Sequence, residues 1–503
     1  MNPQRAALRV ALAAIAVALI AEVVLDDHAL GVNAALTTIA LLFAAIATRP
    51  SDRPFDPTDG WLPIGAVMFA VFVAVHDDRS LVALDVVAAL GLAGASLAAF
   101  AGMPVTRSAL PPLFELAGSV TIMALVGAGA VIRFLSLPTL AAAPLAAAGP
   151  RVVPVARGLV IVTPLLFVFG VLFAAADPVF GNYVVRALTI DVDLGRLPIH
   201  LFFVAAVAWL VAGLLWFVEE PPLLADARPL GAAVRAPATS WPRLGTSEAI
   251  TMLIALDLLF AAFVVLQVAY LFGGQDTRAA AGMPYAQYAR QGFFELLMAV
   301  GLAGSLVALL EAIVATRRRL YVAALLGLVA LTVVVLASSF LRLKLYQDAY
   351  GWTELRFYVD AAIAFFAICL GVASALIVRN ASRWLGHAVG VAALVVLLGV
   401  NLIGPQAFIT DRNLERALVP SVVPEFGEET LDTAYLGTFD ADAVPALVAA
   451  APRLDPIARA DLEYRLRSLR QRLEQDRGDP AAWNLARENA RRALDSLFGA
   501  PGP

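Results

Sequence analysis

Cysteine, histidine and charge are all scarce in this chain of 503 residues. The single cysteine, Cys369, excludes an intrachain disulfide and a metal site built from several thiolates. No phosphate-binding loop, zinc-protease motif or dinucleotide fingerprint is present, and the histidines are scattered along the chain. We therefore expect no cofactor and no histidine-based metal site. The four histidines are His28, His76, His200 and His387.

Charged residues make up only 15% of the chain, whereas a soluble domain has about a quarter. Hydrophobic residues make up 61%, which is more than one water-soluble core could bury. Residues 405–503 carry 12 basic and 16 acidic side chains and the remainder is balanced, so neither part indicates a nucleic-acid-binding surface. Composition therefore predicts a protein whose partner is a lipid bilayer and excludes nucleic acid.

Apolar segments of about twenty residues, the length that a helix needs to cross the hydrocarbon of a bilayer, recur along the chain. Since lipid forces backbone groups to pair internally, we expect an all-α fold: a bundle of about twelve transmembrane helices with a small soluble α-helical domain. The predicted spans are 6–25, 30–47, 61–75, 81–100, 109–132, 157–175, 199–218, 249–272, 293–313, 320–338, 357–378 and 384–404.

The composition changes three times along the chain, and these changes suggest four regions. Residues 1–218 form an N-terminal membrane portion of about seven spans, and 219–247 form a linker rich in proline and alanine. Residues 248–404 form a second membrane portion of about five spans. Residues 405–503 form a helical tail whose expected role is packing or contact with a partner protein.

Two indications of membrane topology disagree. The basic links 316–319 and 379–383 would both lie in the cytoplasm by the positive-inside rule, which places the tail outside. Arg5 and Arg9 before the first span indicate a cytoplasmic N-terminus, which with an even number of spans places the tail inside. Both topologies stay open.

The tail has the pattern of a small helical unit. Two Asp-Pro pairs, which begin at Asp455 and Asp479, are typical of helix starts, and a short helix before them is expected to be capped by Asp440 or Asp442. After the first pair, leucines follow at spacings of four, three and four and form one apolar stripe. They are Leu462, Leu466, Leu469 and Leu473.

Several carboxylates fall inside or near the ends of the predicted spans: Asp85, Glu115 and Asp257. A carboxylate at the centre of a bilayer costs about 2.5–3.5 kcal/mol on insertion scales, so such residues normally face a bundle interior or water. They predict either a proton or cation relay or a hydrogen bond between helices that aids packing. The first interpretation is favoured most at Asp257.

Two links between spans, 266–297 and 342–360, are rich in aromatic and charged residues. They indicate either an interfacial belt of aromatic side chains or the lining of one polar cavity. In the second link, Gly351 is expected to end one helix in the left-handed conformation and Thr353 to cap the next. The candidate cavity residues are Asp257, Gln267, Tyr288, Arg290, Glu295, Arg342, Tyr346, Tyr350, Arg356 and Asp360.

Four segments resemble an uncharacterised family of bacterial multi-span proteins, the domain-of-unknown-function 4173 (4153-like) group. They are "FVVLQVAYLFGG", "YAQYARQGFFELL", "SSFLRLKLYQDAYGWTELRFYV" and "PLLFVFGVLFAAADPVF". Such proteins tend to have an Asn-Pro-Asp-like turn before an Ile-x-x-x-Asn segment, where this chain has "GPQAFITDRN", with Gly404 and Gln406 in the Asn and Asp positions. The resemblance implies a multi-pass protein of a bacterial inner membrane and no particular reaction.

Three functions are compatible with these features. The first is transport, or movement of protons or ions through a polar intramembrane cavity. The second is a membrane-anchored scaffold or regulator that binds a partner protein through its helical tail. A membrane enzyme that modifies lipids or glycans is third, because no acidic catalytic loop stands out.

Overall fold

The computed structural model describes residues 3–50, 55–102, 105–106, 197–219, 246–272, 293–314, 316–418, 431–475 and 477–499. Every secondary-structure element assigned in these ranges is a helix, in agreement with the all-α expectation. The chain divides into two compact units. Among the described residues, the first unit holds the chain up to Met68, Ala89–Val105 and residues 197–219. The second unit holds Phe69–Ala88, Thr106 and the chain from residue 246 onward.

Fifteen α-helices are described. The first five are α1 (Pro3–Leu25), α2 (Val32–Thr48), α3 (Trp61–Val75), α4 (Arg79–Phe100) and α5 (Leu197–Glu219). The next five are α6 (Thr246–Phe272), α7 (Phe293–Ile313), α8 (Arg319–Tyr350), α9 (Glu354–Val378) and α10 (Leu385–Ile403). The tail contains α11 (Pro405–Leu418), α12 (Thr433–Leu436), α13 (Val444–Ala450), α14 (Pro456–Glu474) and α15 (Leu485–Phe498).

Six segments are long and apolar enough to cross a membrane within the described part of the chain, and they coincide with all or most of α1, α3, α4, α8, α9 and α10. Four more helices, α2, α5, α6 and α7, contain shorter apolar segments. Ten of the twelve predicted spans coincide with these helices, and the other two, 109–132 and 157–175, lie outside the described residues. The count of twelve spans stays a prediction.

In the first unit, α1 packs against both α2 and α5, and α2 also contacts α5. The inner face of α1 is made of small residues, such as Ala7, Ala14 and Ala18, whereas Leu12 and Val23 are exposed. Small residues let helix backbones approach closely, and large apolar residues on the outer face suit contact with lipid. In a soluble protein the large apolar residues would face the core instead. The arrangement on α1 therefore suits a helix that is surrounded by lipid.

In the second unit, α8 packs against α6, α7 and α9, and α9 packs in turn against α10. With 32 residues, α8 is about 48 Å long at 1.5 Å per residue, whereas the hydrocarbon core of a bilayer is about 30 Å thick. Helix α8 therefore extends beyond the predicted span 320–338 and continues through the polar residues 342–350.

The tail shares an apolar core with the membrane helices of the second unit. Leu81 of α4, Phe357 of α9 and Val400 of α10 belong to the same buried cluster as the tail residues Val444 and Leu494. The predicted leucine stripe is confirmed, because its four leucines are all buried on α14, and Asp455 caps that helix through the amides of Ile457 and Ala458.

Two predicted helix starts in the tail are wrong. Helix α15 begins at Leu485 rather than at the Asp479–Pro480 pair, because Asn484 supplies the cap by accepting a hydrogen bond from the amide of Arg487. The carboxylate of Asp479 accepts a hydrogen bond from the amide of Ala481 in the preceding turn. Neither Asp440 nor Asp442 provides a capping side chain for α13 or for the 3-10 turn Ala441–Ala443 before it. The carboxylate of Asp442 has partners far away in the sequence.

Candidate functional site

The link between α8 and α9 is an ordered turn, as its sequence predicts. Helix α8 ends at Gly351, whose φ of +75° is positive as expected, although its ψ of −171° is extended rather than left-handed helical. Thr353 caps α9, since its hydroxyl accepts a hydrogen bond from the amide of Arg356. A side chain at Gly351 would meet Oδ1 of Asn413 at 2.7 Å, so only glycine fits this close approach.

Most of the candidate cavity residues of this link lie together. The guanidinium of Arg356 lies 4.1 Å from the ring centroid of Tyr346, and it donates to the carbonyl groups of Tyr350 and Gly351. Such cation–π contact and carbonyl hydrogen bonds hold the arginine at the helix junction. One helical turn further, Gln347 of α8 donates to Asp360 of α9 at 2.6 Å.

Among the remaining candidate residues that the structure describes, Asp257 lies away from this group. Arg342 is buried on α8, more than a turn before Tyr346. Asp257 of α6 packs against Gly327 of α8, where an added Cβ would lie 3.1 Å from its Oδ2. Gly327 and Arg342 are fifteen residues apart on α8, or about 22 Å along the helix axis. Tyr288, Arg290 and the side chains of Gln267 and Glu295 lie outside the described residues.

A different polar cluster forms where the second half of α3, the first half of α4 and the tail meet. Asp442 of the tail accepts three hydrogen bonds from the link between α3 and α4. They come from Nδ1 of His76 at 2.8 Å and from the amides of Asp77 at 2.6 Å and Asp78 at 2.9 Å. Nε2 of His76 lies 3.0 Å from the carbonyl oxygen of Asn401 at the end of α10.

Helix α15 adds a second set of contacts to the same link. The side-chain amide of Asn484 donates to the carbonyl oxygens of Val73 at 3.0 Å and His76 at 2.8 Å, which the end of α3 leaves without helical partners. Arg487, also buried, pairs with Asp77 at 3.3 Å. The tail is thus attached to the end of α3 through buried polar contacts on two of its elements. We call this set of residues, with Asp85, Glu354, Gln406 and Asp440 described below, the polar junction.

Asp85 is the residue of the polar junction that lies within the apolar part of α4. It is fully buried two turns after Asp78, and Oδ1 accepts a hydrogen bond from the side-chain amide of Asn401 at 2.7 Å. Within the described residues, Oδ2 of Asp85, Oδ2 of Asp78 and the hydroxyl of Tyr358 have no hydrogen-bond partner, although all three are buried. Tyr358 interacts electrostatically with both aspartates. Buried polar atoms of this kind normally have partners, so they indicate a place for water or a proton.

The turn after the last span completes the polar junction. Gln406 donates to Glu354 at 2.9 Å and accepts from the amide of Asp440 at 2.8 Å, so it joins the start of α9 to the tail. Asn413 pairs with the backbone of Trp352 through both its oxygen and its amide. Gln406 occupies the Asp position of the family-like turn, and Asn413 is the last residue of its Ile-x-x-x-Asn segment. Both join that turn to the link between α8 and α9.

Carboxylates exceed cations at the polar junction. Burial, more than any other influence, raises the pKa of Asp77 to about 6, with the neighbouring acids adding to the effect of burial and Arg487 opposing it. Burial also raises the pKa of Asp78 to about 6. For His76, burial lowers the pKa, but the hydrogen bond and charge of Asp442 outweigh it, so the pKa is raised from 6.5. Asp77 and Asp78 therefore change protonation near pH 6, well above the pKa of 3.8 of an ordinary aspartate.

The sequence indicated only part of this cluster. A carboxylate that interrupts an apolar span makes Asp85 a candidate relay, whereas His76 is one of four scattered histidines and is not predicted to take part. The run His76–Asp77–Asp78 between two predicted spans is the signal that could have identified it. Asp442 gives no local signal, because its partners are more than 360 residues away in the sequence.

Apolar helices of membrane-crossing length, with a polar junction at the ends of several of them, define an all-helical protein of the membrane-spanning class. A family model described as "Domain of unknown function (DUF4153)" matches residues 64–450, and the chain belongs to that family. The resemblance to an uncharacterised multi-span family is therefore confirmed, with the matching model numbered 4153 rather than 4173. No curated protein and no solved structure matches the chain.

Proposed function

We propose that this protein moves protons across a bacterial inner membrane, and that the polar junction is the entry or exit of the path. The observation that carries the proposal is Asp85: a fully buried carboxylate in an apolar helix, hydrogen-bonded to Asn401 and in electrostatic contact with His76 and Asp78. An ionisable group in such a place is costly, so a role in ion or proton movement is its first interpretation.

The order of the groups supports a relay. Asp77 lies in the link between two helices and its side chain is 26% exposed, so it can exchange protons with water, whereas the neighbouring Asp78 is buried. Asp78 and Asp85 are seven residues apart, which is about 10 Å along α4. The hydroxyl of Tyr358 interacts electrostatically with both and offers an intermediate donor and acceptor.

A proton suits the polar junction better than a bound metal ion. A metal site needs several ligand atoms close together. Within the described ranges, three potential ligand atoms from histidine, aspartate or glutamate lie within 4.8 Å of one another in the first unit, but not at the polar junction. The junction carboxylates are instead held apart by amide groups of Asn401 and Gln406 and by backbone amides. That spacing favours single-proton transfer through hydrogen bonds.

Proton flux into proteoliposomes tests the proposal. Under a potassium diffusion potential, a trapped pH dye should report faster acidification with the wild type than with empty liposomes. Asp85→Asn should reduce flux to background, because an amide keeps the hydrogen bond from a neighbour but carries no titratable proton. Asp85→Glu should retain part of the flux, and Asp348→Asn, which changes an exposed carboxylate at the end of α8, should match the wild type.

Three outcomes would count against the proposal. If Asp85→Asn protein elutes as a single species and has wild-type flux, Asp85 does not belong to the proton path. Loss of flux in Asp257→Asn, together with normal flux in Asp85→Asn, would place the path at α6 as the sequence suggested. Flux through the wild type that equals the background flux of empty liposomes would show that the protein does not move protons.

A scaffold or regulator that acts through the tail is the second candidate, and one feature of α14 favours it. Ile457 and Tyr464 are seven residues apart, two turns on one helix face, and are 83% and 73% exposed. Apolar side chains exposed together in this way suit contact with a partner protein. A photo-crosslinking residue at Tyr464 should capture one defined partner in cells, and Ile457→Asp should abolish that product. A crosslink pattern unchanged by Ile457→Asp would exclude this surface.

A further inference from the structure

A second group of ionisable side chains lies in the first unit, apart from the polar junction. Glu22 is in the last turn of α1, and Asp26 follows one turn later, just after the helix ends. His200 is in the first turn of α5, which packs closely against α1. The three residues are therefore brought together by helix packing and not by their order in the chain.

One nitrogen of His200 faces both carboxylates. Its Nδ1 contacts Oε1 of Glu22 and lies 3.0 Å from Oδ2 of Asp26. One potential ligand atom from each residue lies within 4.8 Å of the other two. The second oxygen of Glu22, Oε2, is buried and has no hydrogen-bond partner among the described residues. The group thus offers an oxygen–oxygen–nitrogen face together with one buried oxygen that lacks a partner.

The charges of this group favour a divalent cation over a proton. Two carboxylates one helical turn apart repel each other. A protonated imidazole supplies one positive charge and balances only one of them. A divalent ion with a neutral imidazole balances both, and it uses the same nitrogen that now contacts the two carboxylates.

We propose that Glu22, Asp26 and His200 form a binding site for a divalent transition-metal ion. Zinc accepts histidine nitrogen at about 2.0–2.1 Å and carboxylate oxygen at about 2.0–2.2 Å, and these bond lengths place neighbouring ligands of a tetrahedral ion about 3.4 Å apart. The observed separation of 3.0 Å between Nδ1 and Oδ2 needs only a small increase to reach that value, and the closer contact between Nδ1 and Oε1 of Glu22 must lengthen more when the ion enters. Three protein ligands leave a fourth position open for water or a substrate group.

Metal analysis of the full-length protein in detergent tests the proposal. The wild type is stripped with a chelator, incubated with Zn²⁺, freed of unbound ion and analysed for zinc by mass spectrometry. We expect one equivalent per chain. His200→Ala should lose it, whereas His387→Ala, which removes a histidine from α10 in the other unit, should keep it. A zinc content that is the same in both variants would mean adventitious binding elsewhere and would overturn the site.

Cobalt supplies a readout that needs no variant. Co²⁺ in a four-coordinate site with one imidazole and two carboxylates gives visible d–d absorption far stronger than that of the hydrated ion, and Zn²⁺ should displace it. Absence of such bands from stripped wild-type protein would mean that the three residues form only a hydrogen-bonded ion pair. This readout also decides the question if His200→Ala does not fold.

Discussion

The attachment of the tail to the α3–α4 link leads to a prediction about Asp442. Its side chain is 9% exposed and accepts hydrogen bonds from His76 and from two backbone amides. In Asp442→Ala, all three donors lose their acceptor, and the buried imidazole loses its counter-charge. The tail should then separate from the link far more often than in the wild type.

The magnitude follows from the three contacts. A hydrogen bond to a charged group contributes about 1.5–3 kcal/mol, so three would contribute about 4.5–9 kcal/mol if they were independent. The carboxylate loses its hydration when it is buried, which offsets part of that gain, and water can reach part of the link after the substitution. Breaking a buried ion pair costs about 3–5 kcal/mol, and we expect a loss of stability in that range.

Hydrogen exchange measures this loss in the membrane protein itself. We expect tail docking to protect the amides of α13 and α15, and a loss of about 4 kcal/mol corresponds to roughly a thousandfold faster exchange. Asp455→Ala is the matched control, because it removes an exposed helix cap of the same tail and should cost only about 1 kcal/mol. Exchange in Asp442→Ala no faster than in Asp455→Ala would refute the reasoning, since Asp442 would then contribute no more than a surface ion pair.

Two further predictions concern pH and the turn at Gly351. The two aspartates that follow His76 have pKa values raised from 3.8 to about 6, so the docked tail should lose stability as pH rises from about 4 to about 6. Because the pKa of His76 is raised, its protonated form stabilises docking below about pH 6.5, and this stabilisation is lost at higher pH. Exchange of tail amides, corrected for the intrinsic rate, should therefore be faster at about pH 8 than at about pH 5. His76→Gln should flatten the upper part of that pH profile. Gly351→Ala should lower the thermal midpoint, because alanine is strained at a φ of +75° and its Cβ would lie 2.7 Å from Asn413, whereas a midpoint equal to that of the wild type would show that the turn relaxes freely.

Local patterns in the sequence predicted the elements well. Gly351 and Thr353 mark the end of one helix and the start of the next through backbone conformation and capping, which depend on a few neighbouring residues. The leucine stripe of α14 follows from helical periodicity alone. The start of α15 was predicted too early, because Asp479–Pro480 has the local pattern of a helix start but Asn484 has better long-range partners.

The candidate site was harder to predict. The ten candidate cavity residues are polar and lie near span ends, and among the described ones packing brings Tyr346 and Tyr350 together around Arg356. Asp257 lies far along α8 from that group, against Gly327. Which polar helix ends meet depends on which helices are neighbours in the folded protein, and a single sequence does not specify those neighbours.

The amino-acid sequence alone determined that this is a helical membrane protein, because long apolar segments with little charge can satisfy their backbone groups in lipid only as helices. It also determined where most of the described helices run. Only the tertiary structure decided that Asp442 meets His76 and that His200 meets Glu22, since each pair is joined by hydrogen bonds across a long separation in the chain. Such contacts depend on which helix faces pack together, and that is settled by the whole fold rather than by any local pattern.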